Sequence, residues 1–95
     1  EYPKQVEKYV SIARLLGLQN FNTITTVRAF VNWVQFMDKE MNIPLSISQM
    51  GNITESEYRS KIPAMAEAAL ADSCTATNPK VPTKADIMSI YENLW

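Results

Sequence analysis

Only two glycines, Gly17 and Gly51, stand in this 95-residue chain, and five prolines are its other strong chain breakers. An all-β fold reverses direction roughly every 8–12 residues and builds those reversals largely on Gly, Asn-Gly and Pro pairs. Two isolated glycines cannot supply them. The chain is therefore expected to be all-α, because helices close their backbone bonds locally and need few reversals. Apolar residues make up 46% of the sequence and charged residues 20%, enough for a packed core and against intrinsic disorder. No internal repeat or low-complexity segment interrupts the pattern.

Apolar spacing places the helices. Val6, Tyr9, Val10, Ala13 and Leu16, with Ile12 beside them, recur three and four apart. This predicts a helix over about 3–16, with Pro3 in its first turn and Gly17 as its stop. A second helix is expected over about 25–41, with Thr23, Thr25 and Thr26 as alternative N-caps. Ile24, Val27, Phe30, Val31, Val34, Met37 and Met41 share one face of it. Ala29, Trp33 and Phe36 lie on a second, and Arg28, Asn32, Gln35 and Lys39 hold a narrow polar strip. A helix apolar on two sides is either the centre of a core or has a neighbour outside the chain. Ala29, Trp33 and Phe36 are the candidate interface on the latter view.

Asn42-Ile43-Pro44 ends that helix. Residues 46–50 predict one helical turn closed by Gly51. Thr54-Glu55-Ser56-Glu57 is a capping box opening a short helix over 55–61, and Pro63 suits the first turn of an alanine-rich helix over 63–72. Ser73 to Pro82 is expected to be an ordered loop. Thr83 with Asp86 opens the last helix, over 84–94, with Ile87, Ile90, Tyr91 and Leu94 as its buried stripe. The expected architecture is a compact bundle of about five helices in one subdomain, residues 1–95.

Several function classes are closed by composition. With no histidine, Ser-His triads, zinc hydrolase centres and histidine relays cannot be built within these residues. Nine basic against ten acidic residues give a net charge of −1, which argues against nucleic acid and anionic membrane, and a DNA-binding helix-turn-helix is disfavoured with them. No 18-residue apolar run is present, so no membrane span is expected. Gly17 and Gly51 are too far apart to form a phosphate-cradling turn, and no metal-ligand spacing appears. One cysteine allows no internal disulfide and fits a reducing, cytoplasmic compartment. The chain opens on Glu1, not methionine, and is expected to be a segment of a longer protein.

Three sets of polar residues remain. Glu55 and Glu57 mimic a catalytic carboxylate pair but sit where acids complement a helix N-terminus. Asp38 falls on the apolar face of the second helix, where it needs a backbone or hydroxyl partner or has a functional role. Cys74 is either a small buried apolar residue or a reactive thiol, although no histidine is present to activate it.

The loop around Cys74 carries a resemblance. Cys74-Thr75-Ala76-Thr77-Asn78-Pro79-Lys80 resembles the Cys-Thr-x-x-Asn-Pro-Arg loop near the C-terminus of iron-containing (group III) alcohol dehydrogenases. Lys8-Tyr9, Ile12-Ala13-Arg14 and Leu16-Gly17 look like that family's Lys-Tyr-x-x-Ile-Ala-Arg-x-x-Gly segment. Ile43-Pro44 with Leu45 to Gly51 looks like its Gly-Ile-Pro turn and short helix. Ile62, Ala66, Ala69 and Asp72 match the helix before the cysteine. Ile87, Tyr91 and Trp95 match its last helix, including the Tyr-x-x-x-Trp ending of lactaldehyde-reductase and propanediol-dehydrogenase-like members. The likeness runs along nearly the whole chain.

The resemblance implies the C-terminal part of the family's helical metal-binding domain. The parent enzyme would pair this with a Rossmann-like domain that binds NAD(P). It would hold Fe(II), or zinc, through one aspartate and three histidines, and pass hydride between an alcohol carbon and the nicotinamide. The present residues would follow the last metal-binding histidine. They are then expected to hold no metal, to bind no cofactor alone, to supply no catalytic residue and to be inactive in isolation. Cys74 would line the substrate pocket, and Thr75, Thr77, Asn78 and Pro79 would shape its wall. Lys80 replaces the family's arginine, whose bidentate contacts a lysine does not reproduce. Asn42 stands where the family often has glycine. The implied partners are the remainder of the dehydrogenase, further copies in a homo-oligomer, and a small alcohol or aldehyde. The alternative is a free-standing helical interaction module whose two-sided helix docks a partner.

Overall fold

Gly17 and Gly51 both occupy left-handed backbone, at φ of 72° and 70°, where a chain can leave a helix at no steric cost. Around these stops a computed structural model describes residues 3–18 and 22–95. It contains four α-helices: α1 (Pro3–Leu15), α2 (Thr23–Glu40), α3 (Glu55–Ala71) and α4 (Lys84–Asn93). Short 3-10 turns lie at Ser48–Met50 and Thr75–Thr77. No strand occurs among the described residues, so the fold is all-α as expected. The chain divides into two compact units, Glu1–Ile43 and Pro44–Trp95.

In the first unit α1 packs on α2. Val10 and Ala13 are buried from α1, and Thr26 is fully buried from α2. The Thr26 hydroxyl donates to the Asn22 carbonyl at 2.7 Å, so the enclosed polar group is satisfied. Tyr9 lies 6.0 Å from Phe30, and Phe30 lies 6.3 Å from Trp33 with nearly parallel rings.

Two expectations for α2 are corrected. Its N-cap is Asn22, whose side chain accepts from the Thr25 N–H at 3.0 Å while the Thr25 hydroxyl accepts from the Asn22 N–H. Asparagine is at least as good a cap as threonine, so the helix starts earlier than about residue 25. Its inward stripe runs through Thr26, Phe30, Trp33 and Met37, with Thr26 buried and the others half-buried; Ile24, Val31 and Val34 are exposed. With apolar residues on both sides of α2, Tyr9 of α1 settles against Phe30 and Trp33 stacks beside Phe30, so Trp33 joins the inward stripe while Phe36 stays exposed.

Both helices in this unit end in a Schellman motif. Gly17 donates to the Arg14 carbonyl and Leu18 to the Ala13 carbonyl, each at 3.0 Å. Asn42 donates to the Lys39 carbonyl at 3.1 Å and Ile43 to the Asp38 carbonyl at 2.8 Å. Asn42 has φ of 57°, the left-handed conformation that glycine serves and that asparagine tolerates better than most residues. The helix ending is therefore ordinary despite the missing glycine.

In the second unit α3 packs on α4. The expected break at Pro63 is absent: 55–61 and 63–72 merge into one helix. Proline lacks the N–H that would reach the Arg59 carbonyl and costs about 3 kcal/mol in a helix interior. Tyr58, Ile62 and Ala66, spaced four apart across it, form a single buried stripe. Burying side chains of the size of Tyr58 and Ile62 is worth roughly 1.5–3 kcal/mol each, so keeping the stripe continuous outweighs the proline. Ile87 is buried from α4.

Both helices of this unit open on the expected capping boxes. Glu57 donates its N–H to Thr54 Oγ1, and Thr54 donates its N–H to the Glu57 carboxylate at 3.0 Å. Thr83 and Asp86 do the same, at 2.8 and 3.1 Å. The Lys84 ammonium meets the Glu67 carboxylate at 2.5 Å, tying α4 to α3. Ile47 and Ser48 donate their backbone N–H groups to the Leu94 and Trp95 carbonyls at 2.7 and 3.2 Å.

Candidate functional site

Met65, Ala68, Ala69 and Asp72 sit at spacings of three, four and seven, so they share one face at the C-terminal end of α3. The loop that follows is knotted back onto this end. Asp72 leaves the helix in extended conformation, and its Oδ1 accepts the Cys74 N–H at 2.7 Å. The Thr75 N–H donates to the Asp72 carbonyl at 3.1 Å. The Thr75 hydroxyl donates to the Ala69 carbonyl at 2.5 Å, satisfying one of the acceptors that a helix end leaves open. Thr77 donates both its N–H and its hydroxyl to the Cys74 carbonyl, at 3.2 and 2.8 Å. The Asn78 amide donates to the Lys80 carbonyl. The Thr75 hydroxyl is thus spent on the end of α3 and the Thr77 hydroxyl on the loop's own backbone.

Between that loop, α3 and α4 lies a cleft of about 550 Å³ lined by Met65, Ala68, Ala69, Asp72, Cys74, Thr75 and Tyr91. Methionine and two alanines give it an apolar wall. The Asp72 carboxylate, the Cys74 thiol and Tyr91 give it polar points. An apolar wall with a few convergent polar groups suits a small, partly apolar ligand.

Of the expected pocket residues, Cys74 and Thr75 line this cleft. Thr77, Asn78 and Pro79 are exposed and outside its lining, and Thr77 and Asn78 bond back to the loop's own backbone. Cys74 is an exposed free thiol, so it is not a core residue of this unit. Met65, Ala68, Ala69, Asp72 and Tyr91 line it without having been among the expected pocket residues. The spacing of Met65 and Ala68 with Ala69 and Asp72 is the signal that marks their shared face. Tyr91, expected in the buried stripe of α4, is half-buried and faces the cleft.

The other candidates are placed as follows. On α2, Ala29 and Trp33 are half-buried and Phe36 is 59% exposed. A narrower apolar groove of about 310 Å³ lies in the same unit, lined by Val6, Thr23, Ile24, Val27 and Arg28. Asp38 is half-buried. Glu55 pairs with Arg59 at 2.8 Å and Glu57 caps α3, so they do not form a carboxylate dyad.

Hydrogen bonds from the Thr54 backbone and then its hydroxyl hold the Glu57 carboxyl below its ordinary 4.5. Thr83 does the same for Asp86, against an ordinary 3.8. The Lys84 ammonium lowers Glu67, by hydrogen bond first and charge second. All three groups are structural and lie outside the cleft lining.

Among the described residues no three His, Cys, Asp or Glu side chains come together, and the chain contains no histidine. These residues do not fit an iron site. Gly17 and Gly51 end helices and form no phosphate cradle. No described helix is long and apolar enough to cross a membrane.

The model of the Fe-containing alcohol dehydrogenase family, C-terminal, matches residues 1–95. The NADPH-dependent butanol dehydrogenase of Clostridium saccharobutylicum is 31% identical over 87 residues, which are 92% of this chain and 22% of that protein. Lactaldehyde reductase of Escherichia coli K12 is 34% identical over 91 residues, 94% of this chain and 22% of that protein. The aldehyde-alcohol dehydrogenase of Clostridium acetobutylicum is 32% identical over 93 residues, 98% of this chain and 11% of that protein. The chain thus spans between 11% and 22% of the length of these three relatives.

Proposed function

The chain belongs to the Fe-containing alcohol dehydrogenase family, in its C-terminal part, and from that premise we propose that its cleft is one wall of the substrate pocket of an alcohol dehydrogenase. The reaction of the full-length protein is the NAD(P)-linked interconversion of a small alcohol and its carbonyl compound. The iron, or zinc, and the nicotinamide nucleotide belong to parts of that protein outside these residues. What these residues do is bind and shape. Met65, Ala68 and Ala69 take the apolar end of the alcohol, and Cys74 and Tyr91 bound it from the loop and from α4. The braced loop holds Cys74 in place. The exposed flanks of α2, with Ile24, Val31 and Phe36, pack on the remainder of the dehydrogenase or on a further copy in a homo-oligomer. An exposed thiol beside the substrate suits a reducing, cytoplasmic setting.

The observation that carries this reading is the exposed Cys74 thiol on the lining of an open, mostly apolar cleft. It is tested by alkylating the full-length protein with iodoacetamide in the presence and absence of a primary alcohol. Modification at Cys74 is expected to abolish alcohol oxidation, the alcohol is expected to slow that loss, and Cys74→Ser is expected to resist it. Full activity after stoichiometric alkylation of Cys74 would overturn the reading.

A further inference from the structure

Tyr91 is placed on the cleft wall by a residue that does not reach the cleft. α4 ends at Asn93, so the Tyr91 carbonyl lies in the last turn, where a helix leaves its acceptors without regular i+4 partners. Two donors serve it. The Leu94 N–H reaches it at 3.1 Å in a tightened last turn, and the Tyr58 hydroxyl reaches it at 2.6 Å across 33 residues of sequence. Tyr58 stands on α3 and is 6% exposed, and its ring lies 5.4 Å from that of Trp95. The ring is thus buried and its hydroxyl is committed to this carbonyl. A phenylalanine would fill the same space, so packing alone does not account for the hydroxyl.

The first turn of α4 has its own anchors, the Thr83–Asp86 box and the Lys84–Glu67 pair. Its last turn depends on the Tyr58 hydroxyl and on the N–H groups of Ile47 and Ser48. Tyr91 belongs to that last turn and is the residue that α4 contributes to the cleft.

We propose that Tyr58 is a positioning residue for the alcohol pocket, fixing the Tyr91 side of the cleft through its hydrogen bond to the Tyr91 carbonyl. This rests on the reading of the cleft as the substrate pocket. Without the hydroxyl the last turn of α4 relaxes, and the cleft wall becomes less well defined for the bound alcohol. The effect falls on binding, because Tyr58 touches neither substrate nor reacting atoms.

The test is Tyr58→Phe in the full-length protein, compared with Ile62→Val. Ile62 is a buried neighbour on the same helix that is not among the cleft-lining residues, so its variant carries the general cost of a core change. Initial rates are measured over a series of primary alcohols, together with protection of Cys74 from iodoacetamide by alcohol. The expected result is a KM raised about three- to tenfold by Tyr58→Phe, the range of one ordinary hydrogen bond, with kcat within about twofold. Ile62→Val should leave both constants near their starting values even where it lowers Tm. An unchanged KM in Tyr58→Phe, with Cys74 still protected by alcohol, would overturn the role of Tyr58 and leave the pocket standing. Loss of that protection in the unsubstituted protein would overturn both.

Discussion

Ala68→Leu puts three additional carbons on the face of α3 that lines the cleft. Ala68 sits beside Met65 and Ala69 there, and the cleft of about 550 Å³ opens over them. A bound alcohol kept off this wall leaves part of its chain in water. Each methylene so displaced forgoes about 0.8 kcal/mol of apolar burial, close to fourfold in affinity. Three displaced methylenes set an upper bound of about 2.4 kcal/mol, or about 60-fold. The effect must therefore grow with substrate length. In steady-state kinetics of the full-length protein, a two-carbon alcohol should change KM by less than about twofold, while a five-carbon alcohol should lose about tenfold or more in kcat/KM. A loss equal at every chain length would refute the reasoning, because it would mean that the side chain disturbs the protein generally and does not fill the pocket. No loss at any length would show that this face meets no substrate.

Three further outcomes follow from the same structure. Ile62→Ala removes a side chain that is 2% exposed from the interface of α3 and α4, and should cost roughly 2–5 kcal/mol, read as a lower urea midpoint at constant slope. At Asn42, whose φ is 57°, replacement by alanine should cost about 1 kcal/mol in thermal unfolding, whereas glycine should be neutral or mildly stabilising. Glu57 and Asp86 have carboxyls lowered by their caps, so the stability they contribute is present above their ordinary values of 4.5 and 3.8 and is lost as pH falls through the lowered ones. Helix content followed by circular dichroism should therefore fall with acid below about pH 4.5, and Glu57→Gln should flatten that dependence.

Local chemistry was the legible part of the fold. The boxes at Thr54–Glu57 and Thr83–Asp86, and the left-handed stops at Gly17 and Gly51, are each specified within a few residues, and each is where its sequence pattern puts it. Pro63 favours a helix start locally, but that preference is outweighed by Tyr58, Ile62 and Ala66, whose shared burial depends on α4 about twenty residues further on. The inward stripe of α2 was ambiguous for a related reason. Both of its sides are apolar, and only the seating of α1, whose Tyr9 meets Phe30, decides which turns inward.

The candidate site was legible in part. Cys74 and Thr75 stood out through the loop motif, and the position of Cys74 follows from the bond that Asp72 makes to its N–H. Met65 and Ala68 read as ordinary helix residues until the loop folds back over their face. Tyr91 read as core because its spacing with Ile87 is that of a buried stripe. Its half-exposed position depends on where α4 ends and on the Tyr58 hydroxyl, neither of which is a local property of the sequence.

The most direct test of the account is a crystal structure of the full-length protein with nicotinamide nucleotide and a primary alcohol bound. The alkyl end of the alcohol is expected within about 4.5 Å of Cys74 and of the Met65–Ala68 face, with Tyr91 on the opposite side. An alcohol bound elsewhere, with the Cys74 cleft filled only by water, would contradict it.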